Sequence, residues 1–217
     1  MIKDKPLKLV HYLGVMVEKY MLRHFSKLMI VGEVQMQADK AALVLLNHFS
    51  FNDGFVLHRL NRTIFRKRFK TMSVEAQLRA FPLLRYIGCF SVNKKSRDVI
   101  ESLNYAAELL NDPANMLCIF PQGEVYSQHL PKVHFEKGLS QILKKTKQPI
   151  QVIMGVMLVD YLDNFKPVMR VYLKVYDGER DMKEMERAYN EFYMACKYQQ
   201  CQLHHPPESV FKTEVTA

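Results

Sequence analysis

The chain has 217 residues and a mass of 25.5 kDa, with 48% hydrophobic and 24% charged residues, which fits one folded domain and excludes an extensively disordered chain. Its net charge of +9 is concentrated: from Gly54 to Arg97, eleven lysines and arginines stand against one acid, Glu75. A local surplus of this kind implies an anionic partner such as phospholipid headgroups, an acidic carrier protein or nucleic acid.

At the N-terminus, Asp4 and Pro6 mark a helix start, and Leu9, Leu13, Met16 and Tyr20 recur among basic residues as far as about position 27. Residues 1–30 are therefore expected to form an amphipathic helical segment, packed on the core, lying in a headgroup layer, or both. The uncharged stretch from Leu9 to Val17 is too short for the roughly 20 residues that span a bilayer. A secretory signal, with its apolar run and small-residue cleavage site, is also missing. These features point to a peripheral protein on the cytoplasmic face of a membrane.

From there apolar runs suited to strands lie at 27–34, 41–46, 87–92, 116–120, 150–159 and 168–175. Helical periodicity occupies 54–65, 75–86, 97–110, 137–147 and 182–199. Strand and helix in alternation predict an α/β domain over 31–200, a largely parallel mixed sheet flanked by helices, followed by a flexible tail over 201–217. In such sheets sites gather at the carboxyl ends of strands.

Cys89, Cys118, Cys196 and Cys201 show no CxxC spacing and read as reduced thiols. His129 and His134 lie in a polar loop without nearby carboxylates or thiols to complete a metal site, and no metal or cofactor is expected. Asp160 and Asp163 read as turn residues, and His204 and His205 as part of the tail. The basic run at 59–70, interleaved with Phe65 and Phe69, carries no RNA or DNA motif, so nucleic acid is not the expected partner. It reads instead as a surface facing anionic lipid or an acidic acyl carrier, with Phe65 and Phe69 dipping into the interface.

The run Asn47-His48-Phe49-Ser50-Phe51-Asn52-Asp53 is the strongest candidate for chemistry. His48 ends an apolar strand, and Ser50 or Asn52 is placed to cap a helix starting near Asp53. Residues five apart on one helix point away from each other, so the pair meets only if His48 lies on the strand-to-helix turn and Asp53 in the first helical turn. There Asp53 orients one ring nitrogen and leaves the other as a base. With eight histidines in the chain the spacing alone carries little weight, and context decides.

The context is a series of ordered blocks. Asn47 to Asp53 resembles the NHxSxxD block of the glycerolipid acyltransferases, the lysophosphatidic acid acyltransferase family. Gly88-Cys89-Phe90-Ser91-Val92-Asn93-Lys94 resembles its G-x-x-F-I-x-R block, Ile119-Phe120-Pro121-Gln122-Gly123-Glu124 its F-P-E-G block, and Phe135-Glu136-Lys137-Gly138 its F-K-x-G segment; Pro149-Ile150 resembles the start of its last block. The resemblance covers about residues 27–176.

It implies an O-acyltransferase of the 1-acylglycerol-3-phosphate acyltransferase type. A fatty acyl chain would pass from coenzyme A or acyl carrier protein to a hydroxyl of a lipid acceptor, with His48 as general base and Asp53 as its orienter. Asn47, Ser50, Lys94, Phe120, Pro121, Gln122, Gly123 and Glu124 would line the substrate, and backbone N–H groups at a helix start or around Gly123 would face the oxyanion.

This sequence departs from the pattern at Lys94, where the family has arginine, at Gln122 for glutamate, at Val125 where a phosphate-binding cation is usual, and at Val152 for a proline. Lysophospholipid, aminolipid, glycolipid and pigment hydroxyls are all left open as acceptor, and Lys132 and Lys137 stand as replacement phosphate cations. Two other classes compete: a membrane-binding relative without catalysis, and a thioester or lipid hydrolase. The incomplete elbow Gly138-Leu139-Ser140-Gln141-Ile142 lacks the glycine and preceding strand a serine hydrolase needs.

Overall fold

In a computed structural model the structure describes residues 1–93, 98–162 and 164–203. Lys94, Asp163, His204 and His205 lie outside the described residues. The strands are β1 (Lys27–Val31), β2 (Ala41–Leu46), β3 (Arg68–Val74), β4 (Cys89–Val92), β5 (Asn115–Ile119), β6 (Ile150–Asp160) and β7 (Val168–Tyr176). They form one sheet in the order β1-β7-β6-β2-β5-β3-β4. All pairings are parallel except β6 with β7, so the sheet is the expected largely parallel, mixed one.

Every residue of β2 is buried, as a central strand covered on both faces requires. On one face pack helices α5 (Asp98–Leu109), α6 (Gly138–Lys145) and α7 (Met182–Cys201), through Leu103, Ala106, Leu139, Ile142, Met185 and Tyr189. The other face is covered by α1 (Lys8–Leu22), α2 (Asp53–Leu60) and α3 (Glu75–Ala80), through Leu22, Val56, Leu57, Leu60 and Leu78. Each such side chain, withdrawn from water, stabilises the fold by about 1.5–3 kcal/mol. Asp181 caps the long α7, its Oδ1 accepting from the N–H groups of Lys183 at 2.8 Å and Glu184 at 3.1 Å.

Residues 68–74, to which the sequence pattern assigns no element, form strand β3, paired with both β5 and β4. Two expectations are corrected. Phe65 and Phe69 are core residues, 2% and 8% exposed, and do not meet an interface: burying both rings beneath the helices removes far more apolar surface than dipping them into headgroups. Within the basic run Arg62 pairs with Glu18, Arg68 with Asp112 and Lys70 with Asp4, and beyond it Arg79 pairs with Glu75. Finally, the helix expected over 75–86 is two, α3 and α4 (Leu84–Ile87). Pro82 interrupts them, because it lacks an N–H and drives the preceding Phe81 out of the helical region, to φ −125° and ψ 72°.

Helix α1 inverts the usual amphipathic arrangement. Glu18 is fully buried against α2, where His58 Nδ1 lies 2.6 Å from Glu18 Oε2 and Arg62 Nη2 donates to Oε1 at 3.0 Å. Leu9, Tyr12, Leu13, Met16 and Tyr20 point outward, 50–75% exposed, at the three- and four-residue spacing of a single helix face. Among the described residues no helix is long and apolar enough to cross a membrane.

Candidate active site

Because β2 and β5 are parallel neighbours with Leu45 opposite Ile119, the segments leaving their carboxyl ends run side by side. That register brings His48 opposite Gln122. The His48 backbone N–H donates to Gln122 Oε1 at 2.7 Å, and the Tyr126 N–H donates to the His48 carbonyl at 2.9 Å. At position 122 glutamine keeps the acceptor oxygen a glutamate would offer and removes the buried charge, and the residue is only 6% exposed.

Beyond β2 the chain turns sharply into α2, as the sequence requires if His48 and Asp53 are to meet. His48 Nδ1 lies 2.8 Å from Asp53 Oδ2, and the same oxygen accepts the backbone N–H groups of Phe49 at 2.8 Å and Ser50 at 2.9 Å. Asp53 is fully buried, whereas the His48 side chain is 23% exposed. A carboxylate oxygen accepting from Nδ1 puts the proton there and leaves the lone pair on Nε2. The Phe120 ring stacks on the imidazole, with centroids 4.2 Å apart and planes 18° from parallel, which fixes the ring orientation from its other side. Beneath the pair, burial and then the charge of Asp53 push the Cys118 thiol well above its ordinary pKa, so it is no nucleophile.

The other expected residues divide by role. Phe120-Pro121-Gln122-Gly123 is a turn closed by the Gly123 N–H on the Phe120 carbonyl at 3.0 Å, with Gly123 at φ 70°, a conformation suited to glycine. That bond occupies the Gly123 N–H, so it is not a ready donor to an oxyanion. The carbonyl of Pro121 accepts from the N–H of Glu136 at 2.8 Å, tying the turn to the segment before α6. Asn47 is 2% exposed and braces β2 to β6: its Nδ2 donates to the Met157 carbonyl at 2.9 Å and its Oδ1 accepts the Met157 N–H at 2.7 Å.

Ser50 Oγ accepts the Asn52 N–H at 3.1 Å, closing the turn ahead of α2. Asn52 is the cap residue of α2 by position but makes no side-chain cap bond. Glu124 and Val125 lie exposed on the loop beyond the turn, and Lys94 falls outside the described residues. His134 and Lys132 both approach Glu186 Oε1, at 3.4 and 3.8 Å. Among the described residues no cluster of three or more His, Cys, Asp or Glu is arranged to hold a metal ion. Sequence reasoning missed Tyr126 and Met157, both of which act through backbone groups that carry no residue-type signature.

A buried carboxylate holding the imidazole of a strand-end histidine, beside a Phe-Pro-x-Gly turn, is the arrangement the sequence blocks imply, and comparison with known families decides its class. The sequence model of the family described as Acyltransferase matches residues 27–155, more than half of the chain. The protein belongs to the acyltransferase family. Its fold resembles the crystal structure of PlsC, a 1-acyl-sn-glycerophosphate (LPA) acyltransferase from Thermotoga maritima, with a TM-score of 0.57 at 17% sequence identity over 88% of this chain and 78% of that one. At this identity the likeness concerns the fold of this acyltransferase. Among proteins of curated function none matches in sequence.

Proposed function

We propose that the protein transfers a fatty acyl chain from a thioester, carried by coenzyme A or acyl carrier protein, to a hydroxyl of a lysophospholipid-like acceptor, with His48 as general base. The single observation that carries this reading is the bond from His48 Nδ1 to the fully buried Asp53, in a member of the acyltransferase family. Nε2 takes the proton from the acceptor hydroxyl as its oxygen attacks the thioester carbonyl. The tetrahedral intermediate then collapses, the carbon–sulfur bond breaks, and the imidazolium returns the proton to the departing thiolate. No acyl-enzyme is required. Ser50, the nearest hydroxyl in sequence, directs its oxygen to the Asn52 N–H, which speaks against a covalent serine route.

The outward apolar face of α1 supports docking on an anionic membrane surface, where an acceptor with a buried acyl chain would be met. Leu9 and Met16 are 75% and 67% exposed, and lysine and arginine side chains nearby suit a headgroup layer. To test the reading, purified protein is incubated with acyl-coenzyme A or acyl carrier protein thioester and a lysophospholipid, and the acylated lipid is detected by mass spectrometry. Product with wild type and none with H48A is the expected outcome; equal product from both refutes the role of His48.

A further inference from the structure

Parity along neighbouring strands decides which side chains reach the reacting ring. In β5, Met116 and Cys118 point to the face covered by α2, and Phe120, two residues on, packs against the same apolar cluster. In β2, Ala42, Val44 and Leu46 point to that face as well, and His48 follows at the same step of two. With Val44 opposite Cys118, the phenyl and imidazole rings emerge side by side. They stack with centroids 4.2 Å apart and planes 18° from parallel. The Phe120 backbone is held on both sides, by the pairing of Ile119 with Leu45 and by the Gly123 N–H that donates to the Phe120 carbonyl at 3.0 Å.

A phenyl ring carries partial negative charge on its faces and partial positive charge at its edge. Against a neutral imidazole the stack is a dispersion contact. Against an imidazolium, with the cation within about 6 Å of the ring centroid, it becomes an electrostatic attraction. The contact therefore strengthens as Nε2 takes up a proton. Fully buried Asp53 holds the positive ring at Nδ1, and Phe120 holds it from one face. Because the His48 side chain is only 23% exposed, water screens neither attraction completely. An interaction that grows between ground state and transition state speeds the chemical step without tightening substrate binding.

From this geometry we infer that Phe120 is a positioning residue that acts through His48, its π face stabilising the imidazolium formed when the acceptor hydroxyl gives up its proton. The resemblance to the family counts Phe120 among the residues that line the substrate, whereas the stack engages its ring with the base. The inference rests on the proposed role of His48 and goes beyond it by naming what holds charge on the imidazole besides Asp53.

Fluorination separates charge from shape, since each fluorine drains the π face while the ring keeps nearly the same outline. Full-length protein is made with Phe120 replaced in turn by para-fluoro-, difluoro- and pentafluorophenylalanine. The expected result is a stepwise fall in kcat, by about tenfold at pentafluorophenylalanine, with KM for thioester and lysophospholipid within about twofold of wild type. F120L, apolar but without a π face, is expected to match the pentafluorophenylalanine protein, and F120Y to stay within about threefold of wild type. A second readout needs no substrate. Carbethoxylation of Nε2 by diethyl pyrocarbonate also builds positive charge on the imidazole, and its rate at His48, followed by peptide mass spectrometry in mildly alkaline buffer, is expected to slow in the same order.

A flat kcat along the series leaves Phe120 a packing role and overturns the inference. So does a KM that rises while kcat holds, which puts the ring on the substrate, or a carbethoxylation rate indifferent to fluorine. If no form of the protein, wild type included, transfers acyl groups yet carbethoxylation slows along the series, the acyl-transfer reading fails and the hold of Phe120 on the His48 charge stands.

Discussion

Asp53 Oδ2 gathers three hydrogen bonds, one from the His48 ring and two from the backbone of the turn, so one carboxylate both shapes the turn and sets the tautomer. D53N would present an amide that can turn its NH₂ toward Nδ1 and select the wrong tautomer, and turnover is expected to fall by about 10³–10⁴-fold, measured as kcat against intact secondary structure. N47A removes both bonds to Met157 and leaves a buried N–H and a buried carbonyl unpaired, at about 1–3 kcal/mol each. A melting temperature within 1 °C of wild type in N47A would contradict the bracing role. Of the candidate site, the His48–Asp53 contact and the Phe-Pro-x-Gly turn were legible in the sequence because they depend on residue types at fixed local spacing. That Asn47 braces a strand pair and that Gln122 holds the His48 backbone were not, since both depend on which strands are neighbours.

At the scale of elements, α1 is held to α2 by polar groups. Burial alone would raise the Glu18 carboxyl, but hydrogen bonds from His58 and Arg62, with their charges, outweigh it and hold its pKa below the ordinary value. A carboxylate depressed in the folded state adds stability that is present above its unfolded pKa of about 4.5 and is lost as pH falls through the lower folded value. Wild type is therefore expected to lose stability below about pH 4.5 more steeply than E18Q in thermal melts across pH, and superimposable profiles would contradict the assignment. E18A, which strands His58 and Arg62, is expected to destabilise by about 3–5 kcal/mol.

Most strands were readable from apolar runs, and β3 was not. Its Lys70 looks like surface charge in sequence, yet it is 7% exposed and paired with Asp4, whose other oxygen accepts from the Tyr105 hydroxyl at 2.7 Å. A partner 66 residues away hides the strand from any local reading. Likewise, the break at Pro82 was visible as a residue, but the short α4 beyond it is set by Gly88, whose φ of 115° and close approach to the Phe69 carbonyl admit no side chain.

For the molecule as a whole, the turn that carries His48 and the end of α1 lie at the same end of the strands, since β1 starts beside the start of β7 and the carboxyl ends of β2 and β6 lie together. This places the exposed apolar face of α1 beside the site where, on the proposed reading, a lipid hydroxyl would react. Replacing Leu9 and Met16 together by serine is expected to reduce co-sedimentation with anionic vesicles severalfold while leaving the melting temperature unchanged, since both side chains are already in water; unchanged sedimentation would remove α1 from the docking surface.

The proposed role of His48, oriented by Asp53, as the base in direct acyl transfer is tested most directly by a single-turnover assay with acyl thioester and lysophospholipid, comparing wild type with H48A, each confirmed as folded by thermal melting. Acylated lipid and free thiol in equal amounts are expected from wild type and neither from H48A. Wild-type rates in folded H48A, or an acyl group found covalently on the wild-type protein, would contradict it.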